Sequence, residues 1–194
     1  MPQHRQQGCA TARRQRGWSL SECLVGLSVS TLLVTQAVPG YQWMLARNRL
    51  AVTTNQLVLA LHEARQLAIS SNVAVSFCAG NADEGCSGDW SAQQWIVFVD
   101  RNRNGQLDDG EVLKHAETME PTASIRIVGN GPFRKAIVYR PDGLARTATG
   151  AFAAGRLRVC ALRDFDGNTN DLVLIGSGRV EPENKHYTAP CPAP

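Results

Sequence analysis

The segment DRNRNGQLDDGE, residues 100–111, places Asp100, Asn102, Asn104, Gly105 and Glu111 at the first, third, fifth, sixth and twelfth positions of a calcium-loop pattern. Such a loop needs several oxygen ligands around a hard cation and a glycine at its sharp turn. The segment supplies both, with Asp108 as a further carboxylate. The same residues also suit a polar turn, because Asn-Gly and Asp-Gly pairs form turns readily and the flanking WIVFV and VLKHA are strand-like. A polar hairpin is the expected reading, with a calcium site at Asp100, Asn102, Asn104, Asp108 and Glu111 as its alternative. DFDGNTND, residues 164–171, reads as a second acidic turn of the same kind.

Arginines form the other candidate chemistry. Arg156, Arg158, Arg163 and Arg179, with Lys185, could share one edge and meet phosphates, alongside His186 and Tyr187. Affinity for nucleic acid depends on neutralising several phosphates at once, and Glu181 and Glu183 stand close by. The alternative is a solvated edge strand whose charges block strand addition. Nothing points to catalysis: His4, His62, His115 and His186 are isolated, no nucleophile pattern lies beside them, and no glycine-rich phosphate loop occurs.

The net charge of +3 is concentrated at one end. Residues 1–17 hold four arginines and no acid; the rest carries 16 basic and 17 acidic residues, a net charge of −1. The positive balance therefore reports a cytoplasmic leader rather than a nucleic-acid surface. Of six cysteines, Cys9 lies in that leader and Cys23 in the apolar segment after it. The remaining four suggest disulfides and an oxidising compartment such as a periplasm. Four cysteines allow three pairings. Sequential pairing, Cys78 with Cys86 and Cys160 with Cys191, is expected, with buried or free thiols as the alternative. Zinc is disfavoured by the absence of Cys-x-x-Cys or paired-histidine spacing.

These residues must be positioned by a long helix and a set of strands. Residues 18–38 are apolar enough, and as a helix about 30 Å long, to span a hydrocarbon core. Seven hydroxyl or amide side chains interrupt them and would suit packing in a protein bundle. The preceding arginines predict a cytoplasmic N-terminus and an exported remainder. A cleavable secretory signal would want a small-x-small site after the apolar run, and VTQAVPGYQWM offers none. Leu50, Leu57, Leu61, Ala64 and Ala68 continue a three- and four-residue spacing, so one helix, kinked at Pro39, is expected over residues 18–70. Alternating β-branched segments then predict strands at 72–78, 95–100, 111–116, 124–129, 135–140, 155–162, 171–176 and 178–182. The fold class is α+β: a long N-terminal helix packed on an antiparallel β-sheet domain. Within the apolar run Glu22 is costly unless functional or offset, although a helix start also favours an acid.

Gly17, Trp18, Ser19, Leu20, Ser21 and Glu22, the apolar run and Pro39 together resemble the class III signal of type IV pilins and pseudopilins. The resemblance implies that a prepilin peptidase cuts after Gly17 and that the new amine at Trp18 is methylated. It also implies that Glu22 reaches the N-terminal amine of a neighbouring subunit during assembly. WSAQQWIVFVDRNRNGQLDDGEVLKH, YRPDGLARTATGAF and RVCALR followed by DLVLIGSGRV are similar to successive segments of the GspH/FimT group. That group implies a leader at 1–17, a helix at 18–70 and a periplasmic β domain at 71–194. The chain would cross the inner membrane once before entering a pilus or pseudopilus. Implied partners are other major and minor pilins or pseudopilins, the prepilin peptidase and the membrane, with no cofactor beyond the calcium alternative. Some members of the group bind DNA through Gly-Arg-x-Arg; the matching stretch here is Gly178-Arg179-Val180-Glu181, with an acid at the second arginine. The implied function is a minor pilin of a type IV pilus, with a type II secretion pseudopilin or a DNA-binding minor pilin as alternatives.

Overall fold

The computed structural model describes residues 18–119, 124–188 and 191–194. Gly17 and the rest of the expected leader lie outside them. One helix, α1 (Leu20–Ser71), is followed by ten strands: β1 (Val75–Asn81), β2 (Gly85–Cys86), β3 (Gln94–Val99), β4 (Val112–Thr118), β5 (Ile125–Gly129), β6 (Ile137–Tyr139), β7 (Ala145–Arg146), β8 (Gly155–Ala161), β9 (Thr169–Leu174) and β10 (Val180–Lys185). A short 3-10 helix, Gly131–Arg134, precedes β6. The chain divides into two compact units, Met1–Tyr41 and Gln42–Pro194, so the globular unit takes in the second half of α1.

The first half of α1 exposes every side chain from Trp18 to Met44. By length and composition this helix can cross a membrane. It stays helical on both sides of Pro39, which withholds one N–H from the ladder. From Ala46 onward a stripe is buried: Ala46, Leu50, Thr53, Leu57, Ala60, Leu61, Ala64 and Ala68. The three- and four-residue spacing keeps them on one face, and they join a single core with strand residues. Ala60, Ala64 and Ala68 are buried in that core beside Leu57 and Leu61, which supply its volume. Truncating either leucine to alanine is worth about 2–5 kcal/mol.

Two antiparallel sheets receive that stripe. The six-stranded sheet runs β4-β3-β1-β6-β7, with β2 pairing β1; the four-stranded sheet runs β10-β9-β8-β5. Register Phe77↔Val97 and Ala79↔Trp95 puts these side chains in the core shared with α1. Cys78↔Ile96 and Ser76↔Phe98 face the other way. There Cys78, Ile96, Phe98 and Ala136 form a second cluster, covered by Cys86, Leu107 and Leu113. Burial on both faces explains why β1 and β3 read as near-continuous apolar runs.

The expected strands are all present. Two more, β2 and β7, are each only two residues long, too short for any alternation to show. The last strand begins at Val180 rather than at Gly178, because Gly178 and Arg179 form the turn that returns the chain: Gly178 N–H donates to Ile175 O at 2.8 Å and Ile175 N–H to Arg179 O at 3.0 Å. The strand extends to Lys185 and carries Pro182, tolerated because β10 is an edge.

Candidate functional site

At the start of α1, Ser19 and Glu22 bond reciprocally. Ser19 N–H donates to Glu22 Oε2 at 3.0 Å, the Ser19 hydroxyl donates to the same oxygen at 3.2 Å, and Glu22 N–H donates to Ser19 Oγ at 3.3 Å. With Ser19 just before Leu20, this is a capping box, the S-x-x-E pattern that satisfies otherwise unpaired N–H groups. The four residues SLSE carried that signal in the sequence. Glu22 is the single charged side chain between Trp18 and Ala46. Trp18 is fully out in solvent, and Cys23 is an exposed free thiol.

The segment from Asp100 to Glu111 links β3 to β4 as a hairpin held by its own acids. Asp100 is completely buried and accepts three hydrogen bonds: from Ser76 Oγ at 2.6 Å, Asn104 N–H at 3.1 Å and Gly105 N–H at 2.9 Å. Asn102 and Asn104 donate their amides to Asp108 Oδ2 at 2.8 and 2.7 Å. Their own side-chain oxygens accept from Asn104 N–H and Gln106 N–H. Glu111 accepts from Arg101 N–H at 2.8 Å and Asp108 N–H at 3.2 Å. Each of the five side chains that a calcium reading needs thus has at least one oxygen engaged within the hairpin or with Ser76. Among the described residues no group of three or more His, Cys, Asp or Glu side chains is gathered as a metal site.

The four arginines do not form one open surface. Arg158, on β8, is paired in register with Asp171 on β9. Its Nε and Nη2 donate to the two Asp171 oxygens at 2.6 and 2.8 Å, and both side chains are interior, 5% and 0% exposed. Arg158 also donates to Pro192 O at 2.8 Å and to Tyr187 Oη at 2.8 Å, and stacks 4.4 Å over the Tyr187 ring. All three guanidinium nitrogens donate to protein acceptors, which removes the interior Arg158 from any phosphate-binding surface. Arg156 and Lys185 approach the same carboxylate at 3.8 and 3.4 Å. Arg163 donates to Gln42 Oε1 at 2.8 Å, and Arg179, 68% exposed, sits 3.4 Å from Glu181.

Burial alone would push the Asp171 carboxyl up, but the hydrogen bonds and charge of Arg158, with Lys185 behind them, hold it below the ordinary aspartate value. The bonds to Asp171 likewise raise Arg158 against the effect of burial. Sequence reading placed Asp171 where an acidic turn meets the expected strand 171–176 and missed it as a partner; it lies inside β9, which begins at Thr169. The available signal was the register of two neighbouring strands, with Arg158 opposite an acid.

Disulfides Cys78–Cys86 and Cys160–Cys191 are both formed, in the sequential pairing, each with Cα atoms 5.6 Å apart. The second, with the Arg158–Pro192 bond and an Asn130 Nδ2 donation to Pro194 O at 3.0 Å, ties the tail to β8.

Residues 53–178 match the family described as type II transport protein GspH. Among solved structures, the chain is similar to the type IV minor pilin FimU of Pseudomonas aeruginosa. One crystal form has 18% identity and a TM-score of 0.53, covering 74% of this chain and 96% of that one. A second crystal form has 14% identity and a TM-score of 0.47, covering 72% and 98%. At such identity the first match shows the fold: a long N-terminal helix followed by antiparallel sheets. No curated protein matches the sequence.

Proposed function

The chain belongs to the family of type II transport protein GspH, whose members are pilin-like, and on that premise we propose that it is a minor pilin of a type IV pilus. In this reading a prepilin peptidase cuts after Gly17 and the Trp18 amine is methylated. The helix holds the subunit in the inner membrane, N-terminus cytoplasmic and β domain periplasmic, until it enters the filament. The observation that carries the reading is the exposed apolar half-helix with Glu22 as its one charge. A surface of that kind needs lipid or the helices of other subunits. Glu22 then offsets the amine of a neighbouring subunit, as a carboxylate in an apolar bundle requires a positive partner. Pro39 belongs to the same packing surface.

A type II secretion pseudopilin is the second reading, favoured by the family description itself. The two share fold and signal and differ in partners. Purifying the membrane-extracted chain with its neighbours, after crosslinking in cells, separates them: pilus subunits support the first reading and secretion pseudopilins the second. Recovery of neither class would overturn both. The DNA-receptor reading draws no support from Arg158 and rests on Arg156, Arg163 and Arg179; Arg156 and Arg179 each stand beside an acid, and Arg163 donates to Gln42.

A further inference from the structure

Away from Glu22 and from the Asp171 cluster, a cavity of about 260 Å³ opens beside the β6–β7 hairpin. It is lined by Arg103, Arg140 and Arg146, with Asn102, Thr147 and Thr149. Three arginines thus share its wall, and Asp142 stands 3.4 Å from Arg140 Nη2. Arg146 lies on β7 opposite Val138. The Nε atoms of Arg140 and Arg146 are both buried and, among the described residues, neither has a hydrogen-bond partner. A buried donor without an acceptor is rare and marks a site where an acceptor belongs.

Two further features bring the third arginine to this place. The loop after β3 is fixed by Asp100, and Gly105 lies so close to the hairpin that a Cβ there would sit 2.9 Å from the Ala136 Cβ and 3.2 Å from the Ala148 Cβ. Between those anchors Arg103 holds a positive φ of 63°, a conformation that costs a non-glycine residue. The acidic hairpin therefore acts as a bracket that presents Arg103 beside Arg140 and Arg146. The Thr147 and Thr149 hydroxyls hydrogen-bond each other at 2.9 Å, so at most one O–H of the pair is left to donate to a ligand.

We propose that this cavity binds a single phosphoryl-sized oxyanion. Three guanidiniums less one carboxylate leave about two positive charges, which suits a phosphate or phosphate monoester near neutral pH. Planar N–H forks match its tetrahedral oxygens. The volume is below that of drug-sized ligand sites. Among the described residues no aromatic side chain lines the cavity, so none of them stacks a base there. The ligand is thus recognised through its phosphoryl group, whether free or carried on a nucleic-acid strand.

The test is calorimetric titration of the full chain, in neutral detergent, with sodium phosphate against chloride of matched ionic strength. Two variants run beside the parent. Arg146→Gln removes a cavity guanidinium. Arg103→Gly removes another at a position whose backbone favours glycine, so this variant keeps the fold. Saturable one-to-one binding is expected, weakened about tenfold or more in each variant, as for loss of a charge-assisted hydrogen bond. A short single-stranded oligonucleotide that displaces phosphate from the parent would assign the phosphoryl group to a strand; phosphate binding indifferent to it would assign a free phosphate. Heats no larger than those of chloride, or binding equal in parent and both variants, would overturn the proposal. Neither result bears on filament partners.

Discussion

Arg158 and Asp171 meet in a two-pronged ion pair in the protein interior, Nε and Nη2 on one side and both carboxylate oxygens on the other, at 2.6 and 2.8 Å. Asp171→Asn keeps the shape and removes the charge, leaving a buried guanidinium uncompensated. The expected loss is about 3–5 kcal/mol, read from urea unfolding at neutral pH. The folded carboxyl titrates below the ordinary aspartate value of about 3.9, so its contribution is complete above that value and is lost as pH falls through the lowered one. The gap between parent and Asp171→Asn should accordingly narrow as urea curves are taken from pH 5 down towards pH 2. A gap constant with pH would assign the loss to packing instead.

Within the stretch Gly178-Arg179-Val180-Glu181 the glycine and the arginine have separable roles. Gly178 has φ 80°, and a Cβ there would lie 2.2 Å from Gly143 O and 2.9 Å from Arg65 Nε. Arg65, on α1, clamps both turns by donating to Gly143 O at 3.0 Å and to Ser177 O at 3.2 Å. Gly178→Ala is expected to cost about 2 kcal/mol or more, from the left-handed backbone and the collision together. Arg179→Ala, at an exposed surface pair, should stay within about 0.5 kcal/mol of the parent. Thermal melts of the two variants check the contrast, which also makes Arg179→Ala a clean variant for any DNA-binding assay.

Much of this arrangement was legible in the residues, for identifiable reasons. Leu50, Leu57, Leu61, Ala64 and Ala68 form a buried stripe because a helix on one core must repeat its apolar positions every three or four residues. Strands β1, β3 and β8 were visible because each buries a run of mostly apolar residues. What was not legible depends on residues far apart in sequence. Arg158 looked like a surface cation until the β8–β9 register placed Asp171 against it. Arg103, Arg140 and Arg146 come from three different turns and strands, and only the close approach at Gly105 gathers them. The Ser19–Glu22 box was local and readable, but the stronger question of a carboxylate in an apolar run hid it.

The hairpin from Asp100 to Glu111 gives a prediction about cations. Asp100 accepts from Ser76, Asn104 and Gly105 while fully buried, so Asp100→Ala strands those donors and should cost about 2–4 kcal/mol. Because Asn102, Asn104 and Glu111 oxygens already accept backbone N–H groups and Asp108 Oδ2 accepts the two asparagine amides, millimolar calcium should leave the melting temperature of the parent unchanged. A rise with calcium, absent with magnesium and abolished in Asp108→Asn, would restore the calcium reading of the loop.

Glu22 has two possible partners, and one substitution separates them. In the capping box Glu22 Oε2 accepts from Ser19 N–H and Oγ, a role that a glutamine oxygen fills equally well. Pairing with the amine of a neighbouring subunit requires the negative charge. Glu22→Gln should therefore keep the helix start, with amide exchange at residues 19–22 like that of the parent in detergent. Its incorporation into filaments should nevertheless fall at least tenfold, measured on sheared and sedimented pili. Glu22→Ala should lose both, with faster exchange over the first turn and a capping loss of about 1 kcal/mol. Normal incorporation of Glu22→Gln would mean that the carboxylate serves the cap alone, and that subunit contacts run through the apolar face of α1 without it.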